Sequence, residues 1–207
     1  EPTMVIFPSV HIRIISISCG YAHSLALTYT KHVYSWGSGK YGCLGQKNTN
    51  ICYTPKLIET DISSRPFEKI TSVACGMYFS LALSESQSVY SWGFGANGRL
   101  GHGDDNSVGN PKIITYFENE NIKIMTVKCG DTHSAAISIS KELYSWGSGN
   151  NGMLGHGNYQ EKHVPAYVEF FRIIKIDDVY CGSGNCMVLT SDNRVFAWGK
   201  NSHGMLG

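Results

Sequence analysis

The sequence predicts an all-β fold built by rotating one repeated sheet about an axis, a β-propeller, and three observations predict it. Val-Tyr-Ser-Trp-Gly at 33–37 returns at 89–93, as Leu-Tyr-Ser-Trp-Gly at 143–147 and as Val-Phe-Ala-Trp-Gly at 195–199. This sets Trp36-Gly37, Trp92-Gly93, Trp146-Gly147 and Trp198-Gly199 at intervals of 56, 54 and 52 residues. A Cys-Gly pair stands 17 residues ahead of each tryptophan: Cys19-Gly20, Cys75-Gly76, Cys129-Gly130 and Cys181-Gly182. Six residues after each tryptophan comes Gly-x-Leu-Gly, at 42–45, 98–101, 152–155 and 204–207. A period near 50 with no helical pattern inside it fits small sheets stacked around an axis, and it is too long for a parallel β-helix.

Within a repeat the elements read as short strands. The runs at 23–28, 79–84 and 133–138 are apolar and bounded by Gly and polar residues. In the Val-Tyr-Ser-Trp segment Val33 and Ser35 share one face while Tyr34 and Trp36 share the other. Both faces therefore carry packable side chains, as expected of a sheet covered on both sides. Length varies only between the proline 19 residues after each tryptophan (Pro55, Pro111, Pro165) and the next Cys-Gly, so that stretch is predicted to be a surface loop. One repeat domain over 1–207 follows, with repeats at about 13–68, 69–122, 123–174 and 175–207, the last truncated. Residues 1–12 read as a repeat tail, because Pro2 and Val5 fit the slots of Pro55/Ile58, Pro111/Ile114 and Pro165/Val168. The chain is thus expected to be cut within a repeat at both ends, a fragment or a chain whose remaining repeats lie elsewhere. An open stack of four sheets would leave two apolar faces to be covered by self-association, a partner chain or further sequence.

Bulk composition narrows the function. Glycine is 23 of 207 residues, which demands many tight turns. Basic and acidic residues nearly balance, 17 against 16, with no Lys/Arg run, so there is no direct nucleic-acid signal. No apolar run would span a bilayer and the N-terminal segment lacks a signal-peptide pattern, so no membrane partner is read. Seven cysteines, an odd number, form no compact disulfide framework. A reducing compartment, cytoplasmic or nuclear and not secreted, is the expectation.

The stretch at 37–42 contains Gly-x-Gly-x-x-Gly, the spacing of a dinucleotide-binding turn. A nucleotide loop needs a helix after it and a carboxylate about 20 residues on. Here Leu-Gly and a polar, proline-bearing segment follow, and the motif recurs at 93–98 and 147–152. It reads as a repeated turn, and no cofactor is expected. The four Cys-Gly cysteines read as core thiols, since equivalent residues on packed sheets lie about 10 Å apart, beyond disulfide reach. Cys181 and Cys186 lack a second Cys pair, so no metal site is read there. His23-Ser24 and His133-Ser134 place base and hydroxyl on opposite faces of a strand, which excludes a catalytic dyad. No catalytic residue is expected.

With these residues in view the chain resembles the regulator of chromosome condensation repeat family. The likeness rests on V-x-C-G-x-x-H-S-L-A-L-T, then V-Y-S-W-G, then G-x-L-G, G-H-G and a later proline, and it recurs four times over almost all of the chain. Phe79 and Asn185 stand where His23 and His133 stand in the other repeats, and Gln46 replaces the G-H-G histidine of His102 and His156. The resemblance implies a seven-bladed propeller, of which about four blades are present. The rigid repeats themselves point to a non-catalytic scaffold for protein–protein interaction through rim loops, and the resemblance implies the alternative, guanine-nucleotide exchange on a Ran-type small GTPase, the founding activity of the family. None of the inter-repeat stretches, such as 57–70, reads as a projecting hairpin, which weakens the exchange reading, though repeats lying elsewhere could carry one.

Candidate partner-binding residues come from the loops and from repeat symmetry. Tyr41, Tyr53, His156 and Tyr159 are the loop anchors a protein partner would use. Asp104 and Asp105 follow a Gly-His-Gly turn and could receive a basic peptide, or serve as local acceptors. Arg13, Lys69, Lys123 and Lys175 each stand six residues before the repeat cysteine. Rotation would set them in an arc of positive charge for an acidic partner, unless they only discourage strand-edge pairing.

Overall fold

The computed structural model describes residues 1–59 and 68–207. Among them four antiparallel sheets follow one another along the chain. The first holds β1 (Ile14–Cys19), β2 (His23–Thr28), β3 (Val33–Gly37) and β4 (Cys52–Leu57). The second holds β5 (Ile70–Cys75), β6 (Phe79–Ser84), β7 (Val89–Gly93) and β8 (Val108–Ile113). The third holds β9 (Ile124–Cys129), β10 (His133–Ser138), β11 (Leu143–Gly147) and β12 (Lys162–Tyr167). The fourth has three strands, β13 (Ile176–Cys181), β14 (Asn185–Thr190) and β15 (Val195–Gly199). Each sheet is a simple meander, and the sheets form an arc of blades that does not close into a ring. The first strand of each blade lies against the first strand of the next, so β1, β5, β9 and β13 surround the axis.

Binary patterning explains which faces are covered. Every residue of β6, β7, β10 and β11 is buried, because the two middle blades have a neighbour on each side. Leu25, Leu27 and Val33 of the first blade pack on Ile70, Val73 and Trp92 of the second. Leu81, Leu83 and Val89 meet Ile124, Val127 and Trp146, and Ala135, Ile137 and Leu143 meet Ile176, Val179 and Val188. The outward faces of the two terminal blades stay open: Ile17 is 71% exposed, and Met187, Leu189 and Val195 are exposed on the fourth blade.

The repeated motif is the joint between blades. Trp92 Nε1 donates to the Cys43 carbonyl at 2.9 Å, Trp146 Nε1 to Arg99 at 3.1 Å and Trp198 Nε1 to Met153 at 2.9 Å. Each acceptor is the variable residue of Gly-x-Leu-Gly in the preceding blade. The same carbonyls of Cys43 and Arg99 accept from Ser80 Oγ at 3.1 Å and Ser134 Oγ at 2.9 Å. The final glycine of that motif is needed for contact: at Gly101 (φ +77°) an added Cβ would lie 2.9 Å from Trp146 Nε1. The serine of Val-Tyr-Ser-Trp pins the same turn from its own blade, Ser35 Oγ donating to Leu44 O at 2.7 Å, Ser91 to Leu100 at 2.6 Å and Ser145 to Leu154 at 2.6 Å.

Two expectations change. The length-variable stretch is not only surface loop: it carries α1 (Thr115–Asn119) and a single 3-10 turn at Glu169–Phe171. Phe117 and Phe171 from these segments are buried and stand edge-on or tilted to Trp146 and Trp198. Phe7 stands the same way to Trp36. The corresponding stretch of the first blade, 57–70, falls largely outside the described residues. Of the Cys-Gly cysteines, read above as core thiols, Cys75, Cys129 and Cys181 pack against the cores between blades but are only half-buried at the ends of the axial strands, and Cys19 is exposed. Strand-end positions nearest the axis have no sheet facing them, so the side chains there border a cavity.

Trp92 is fully buried and hydrogen-bonded across a joint, whereas Trp36 is half-buried on an open face. Trp92→Ala should therefore cost about 3–5 kcal/mol in urea unfolding, and Trp36→Ala about 1–2 kcal/mol. A Trp92→Ala loss below about 1 kcal/mol would show that the indole does not hold the joint.

Candidate partner-binding surface

Antiparallel pairing sorts the connections onto two faces of the arc. Cys19 pairs with Ser24, and His23 pairs with Gly37, so the β1–β2 links and the long segments after Trp-Gly share one face. The β2–β3 turns and the links between blades share the other.

Arg13, Lys69, Lys123 and Lys175 all lie on that second face, exposed, each just ahead of an axial strand. Lys123 Nζ reaches the Ser86 carbonyl at 3.5 Å and Lys175 Nζ the Ser140 carbonyl at 2.9 Å, both in the preceding blade. Arg13 stacks over Tyr29, 5.1 Å from the ring centroid. These contacts spend part of the positive charge on turns within the fold.

On the first face lies an axial cavity of about 360 Å³, lined by the four Cys-Gly pairs together with Tyr21, Met77, Asp131 and Ser183. Beside it, aromatic rings from two blades gather. Tyr41 stacks on Phe94 with centroids 4.1 Å apart and planes 19° from parallel. Tyr41 also meets Tyr78 edge-on at 5.6 Å, and Tyr78 meets Tyr21 at 5.4 Å. Lys40 Nζ stands 4.9 Å from the Tyr41 ring and 5.3 Å from the Tyr78 ring. Arg99 closes the cluster from below, 4.8 Å from Phe94 and held by Ala96 O and Asn97 Oδ1 at 2.7 and 2.9 Å.

The backbone at Tyr41 is left-handed, φ +59°. The same turn in the next two blades holds Asn97 (φ +60°) and Asn151 (φ +56°). Asparagine tolerates this region through local hydrogen bonding, but a bulky aromatic residue there is strained. The chain keeps a tyrosine where its second and third repeats use asparagine.

The remaining sequence candidates separate. Tyr53 lies on the outer strand β4, not in a loop, and is 88% exposed, while Tyr159 is an exposed loop residue about the outer rim of the third blade. Asp104 Oδ1 accepts from Asn106 N at 2.9 Å. Asp105 Oδ1 accepts from Gly98 N at 2.9 Å and pairs with His163 Nε2 at 3.2 Å. Neither aspartate joins the aromatic cluster. The His156 ring turns inward, its Nε2 3.1 Å from Ser145 Oγ, as His102 Nε2 stands 2.9 Å from Ser91 Oγ. Gln46 does the same work in the first blade, Nε2 donating to Ser35 Oγ at 2.9 Å. The sequence reading missed Tyr21, Lys40, Tyr78 and Phe94, because they come from four separate segments. Only the Tyr-for-Asn exchange at position 41 signals the cluster in one dimension.

At the joint between the third and fourth blades the sequence reading also missed a grouping. Cys186 pairs with Cys181 across β13–β14, with Sγ atoms 3.6 Å apart. His133 Nε2 of the third blade lies 3.0 Å from Cys186 Sγ. In the first joint the matching contact is His23 Nε2 to Ser80 Oγ, 3.0 Å.

Burial lowers the pKa of His23 and of His102 to about 4, through loss of solvation of the imidazolium. With folded values below the ordinary 6.5, the unfolded chain binds more protons between the two. Stability is therefore complete above about 6.5 and falls as pH drops toward about 4. His102→Gln, the residue the first blade uses, should keep the clamp and flatten this acid-side slope, read as urea midpoints at pH 7 and pH 4.5. An unchanged slope would remove His102 from the account.

Comparison with known proteins places the fold. The RCC1-like domain family matches residues 1–207. The chain is 35% identical over 191 residues to the human E3 ubiquitin-protein ligase HERC2, covering 91% of this chain and 4% of that protein. The crystal structure of human WBSCR16 superposes with a TM-score of 0.83 at 28% identity, over 97% of this chain and 51% of the other. That of Prp20p from Saccharomyces cerevisiae, described together with its binding to Gsp1p and histones, superposes with a TM-score of 0.70 at 26% identity, over 82% of this chain and 42% of the other. The chain thus spans about half or less of each of these proteins.

Proposed function

Because the chain belongs to the RCC1-like domain family, we propose that it is a non-catalytic propeller scaffold that binds a protein partner through the loops of one face. The observation that carries this reading is the strained Tyr41 within the cluster of Tyr21, Lys40, Tyr78 and Phe94. Backbone strain persists where something else requires it. Interfaces concentrate their energy in a few aromatic and cationic anchors. This cluster offers flat aromatic surface edged by one exposed ammonium, which suits an apolar segment of a partner with a carboxylate beside it. The blades supply stiffness, so the loops are presented with little ordering cost on binding. The compartment we assign is cytoplasmic or nuclear. No helix among the described residues is long and apolar enough to cross a membrane.

A second reading, nucleotide exchange on a Ran-type GTPase, is favoured by the likeness to Prp20p, which was described binding Gsp1p. Exchange would work by stabilising the nucleotide-free GTPase, and linkage requires the nucleotide to weaken by the same factor.

Tyr41→Asn installs the residue of the sibling turns and should leave the fold at least as stable. Capture of partner proteins from a cell lysate should fall about tenfold or more relative to the unsubstituted chain, the loss expected of an anchor worth over about 1.4 kcal/mol. Undiminished capture would dismiss this face. Release of a fluorescent guanine nucleotide from a Ran-type GTPase separates the readings: acceleration supports exchange, and unchanged release leaves the scaffold.

A further inference from the structure

The cluster at the joint of the third and fourth blades differs from that at the first joint, His23 with Ser80 and Cys75, in one atom type. The position after the strand-opening residue is Ser24, Ser80 and Ser134 in three blades and Cys186 in the fourth. Opposite it in every blade stands the Cys-Gly cysteine: Ser24 Oγ lies 3.9 Å from Cys19 Sγ, and Cys186 Sγ 3.6 Å from Cys181 Sγ. The exchange therefore creates a facing pair of thiols. It does so at a joint where the preceding blade supplies a histidine.

From this geometry we infer that His133, Cys181 and Cys186 form a zinc(II)-binding site. Nε2 and the two Sγ atoms all lie within 4.8 Å of one another. Zn–S bonds of about 2.3 Å and Zn–N bonds of about 2.0 Å in a tetrahedron set ligand pairs about 3.5–3.8 Å apart. The 3.6 Å (S to S) and 3.0 Å (His133 Nε2 to Cys186 Sγ) already approach these values, and the Nε2 to Cys181 Sγ pair, within 4.8 Å, has furthest to close.

Three further features fit the ion. His133 is fully buried and its ring is backed by Gly130, where an added Cβ would lie 2.1 Å from Cε1, so Nε2 is aimed in advance. Cys186 is buried too, and a buried site favours a neutral total charge. Two thiolates and a neutral imidazole balance one divalent cation, while a monovalent copper ion would leave a net negative charge. Cys181 borders the axial cavity, which offers an entry path and a water as fourth ligand. Binding releases the two thiol protons to solvent, leaving both sulfurs as thiolates on the metal. The site would tie the fourth blade to the third and stiffen that joint.

Cobalt(II) is the probe. Added to the reduced, chelator-treated full chain without oxygen, one equivalent should produce thiolate-to-cobalt charge-transfer bands and the visible bands of a tetrahedral ion. One equivalent of zinc(II) should abolish both. Two controls use residues the sibling blades already carry, so they should fold: Cys186→Ser reproduces Ser80, and His133→Phe reproduces Phe79. Cys186→Ser should lose the tetrahedral spectrum, and His133→Phe should shift or lose it. The proposal is overturned if the unsubstituted chain gives no such bands, or if Cys186→Ser gives them undiminished, since other thiols would then hold the ion.

Discussion

One carbonyl at each joint organises the whole arc. The variable residue of Gly-x-Leu-Gly holds the joint through its backbone and not its side chain, since Cys43, Arg99 and Met153 all serve. Its carbonyl accepts the indole N–H of the next blade, and at two joints a serine hydroxyl as well. A buried indole without an acceptor would be costly, so the tryptophan, the turn and the blade spacing must be kept together. The glycine after the leucine completes the set, since any side chain there would push the indole away. Hydrophobic burial supplies most of the driving force, and this bond sets the register in which burial occurs.

A stiff joint frees the loops. The segments after Trp-Gly are held at their base by the Ser–Leu and Ser–His or Ser–Gln bonds, which leave only the tips open to variation. His102 and His156 look reactive in the sequence but act as clamps, and Gln46 replaces them without loss of geometry. The tip residue at the left-handed position is where the blades differ, with Tyr41 against Asn97 and Asn151. A stacked ring on Phe94 offsets part of the backbone strain, and the remainder is what a binding surface would explain.

Internal repetition also supplies the controls. A residue that three blades share and one lacks can be exchanged with its sibling and the fold should tolerate it. By the same logic a departure from the repeat, such as Cys186 for serine, marks a place where the common packing requirement has been relaxed for something local.

Legibility followed the range of each interaction. Trp36, Trp92, Trp146 and Trp198, the Cys-Gly pairs and the Leu-Gly turns announced a propeller because each blade repeats the same requirement at a fixed spacing. The buried strands 79–84 and 133–138 were equally plain, because a strand covered on both faces needs apolar residues on both. The sequence by itself determined the fold, the blade count and the turn glycines. Only the tertiary structure decided that the repeat cysteines ring an axial cavity, and that Phe117 and Phe171 fold in against the next tryptophan. It also brought Tyr21, Lys40, Tyr41, Tyr78 and Phe94 into one surface, and set His133 beside Cys181 and Cys186. These groupings join residues of neighbouring blades, distant along the chain, through blade rotation, and no local pattern records which side chains an axis brings together.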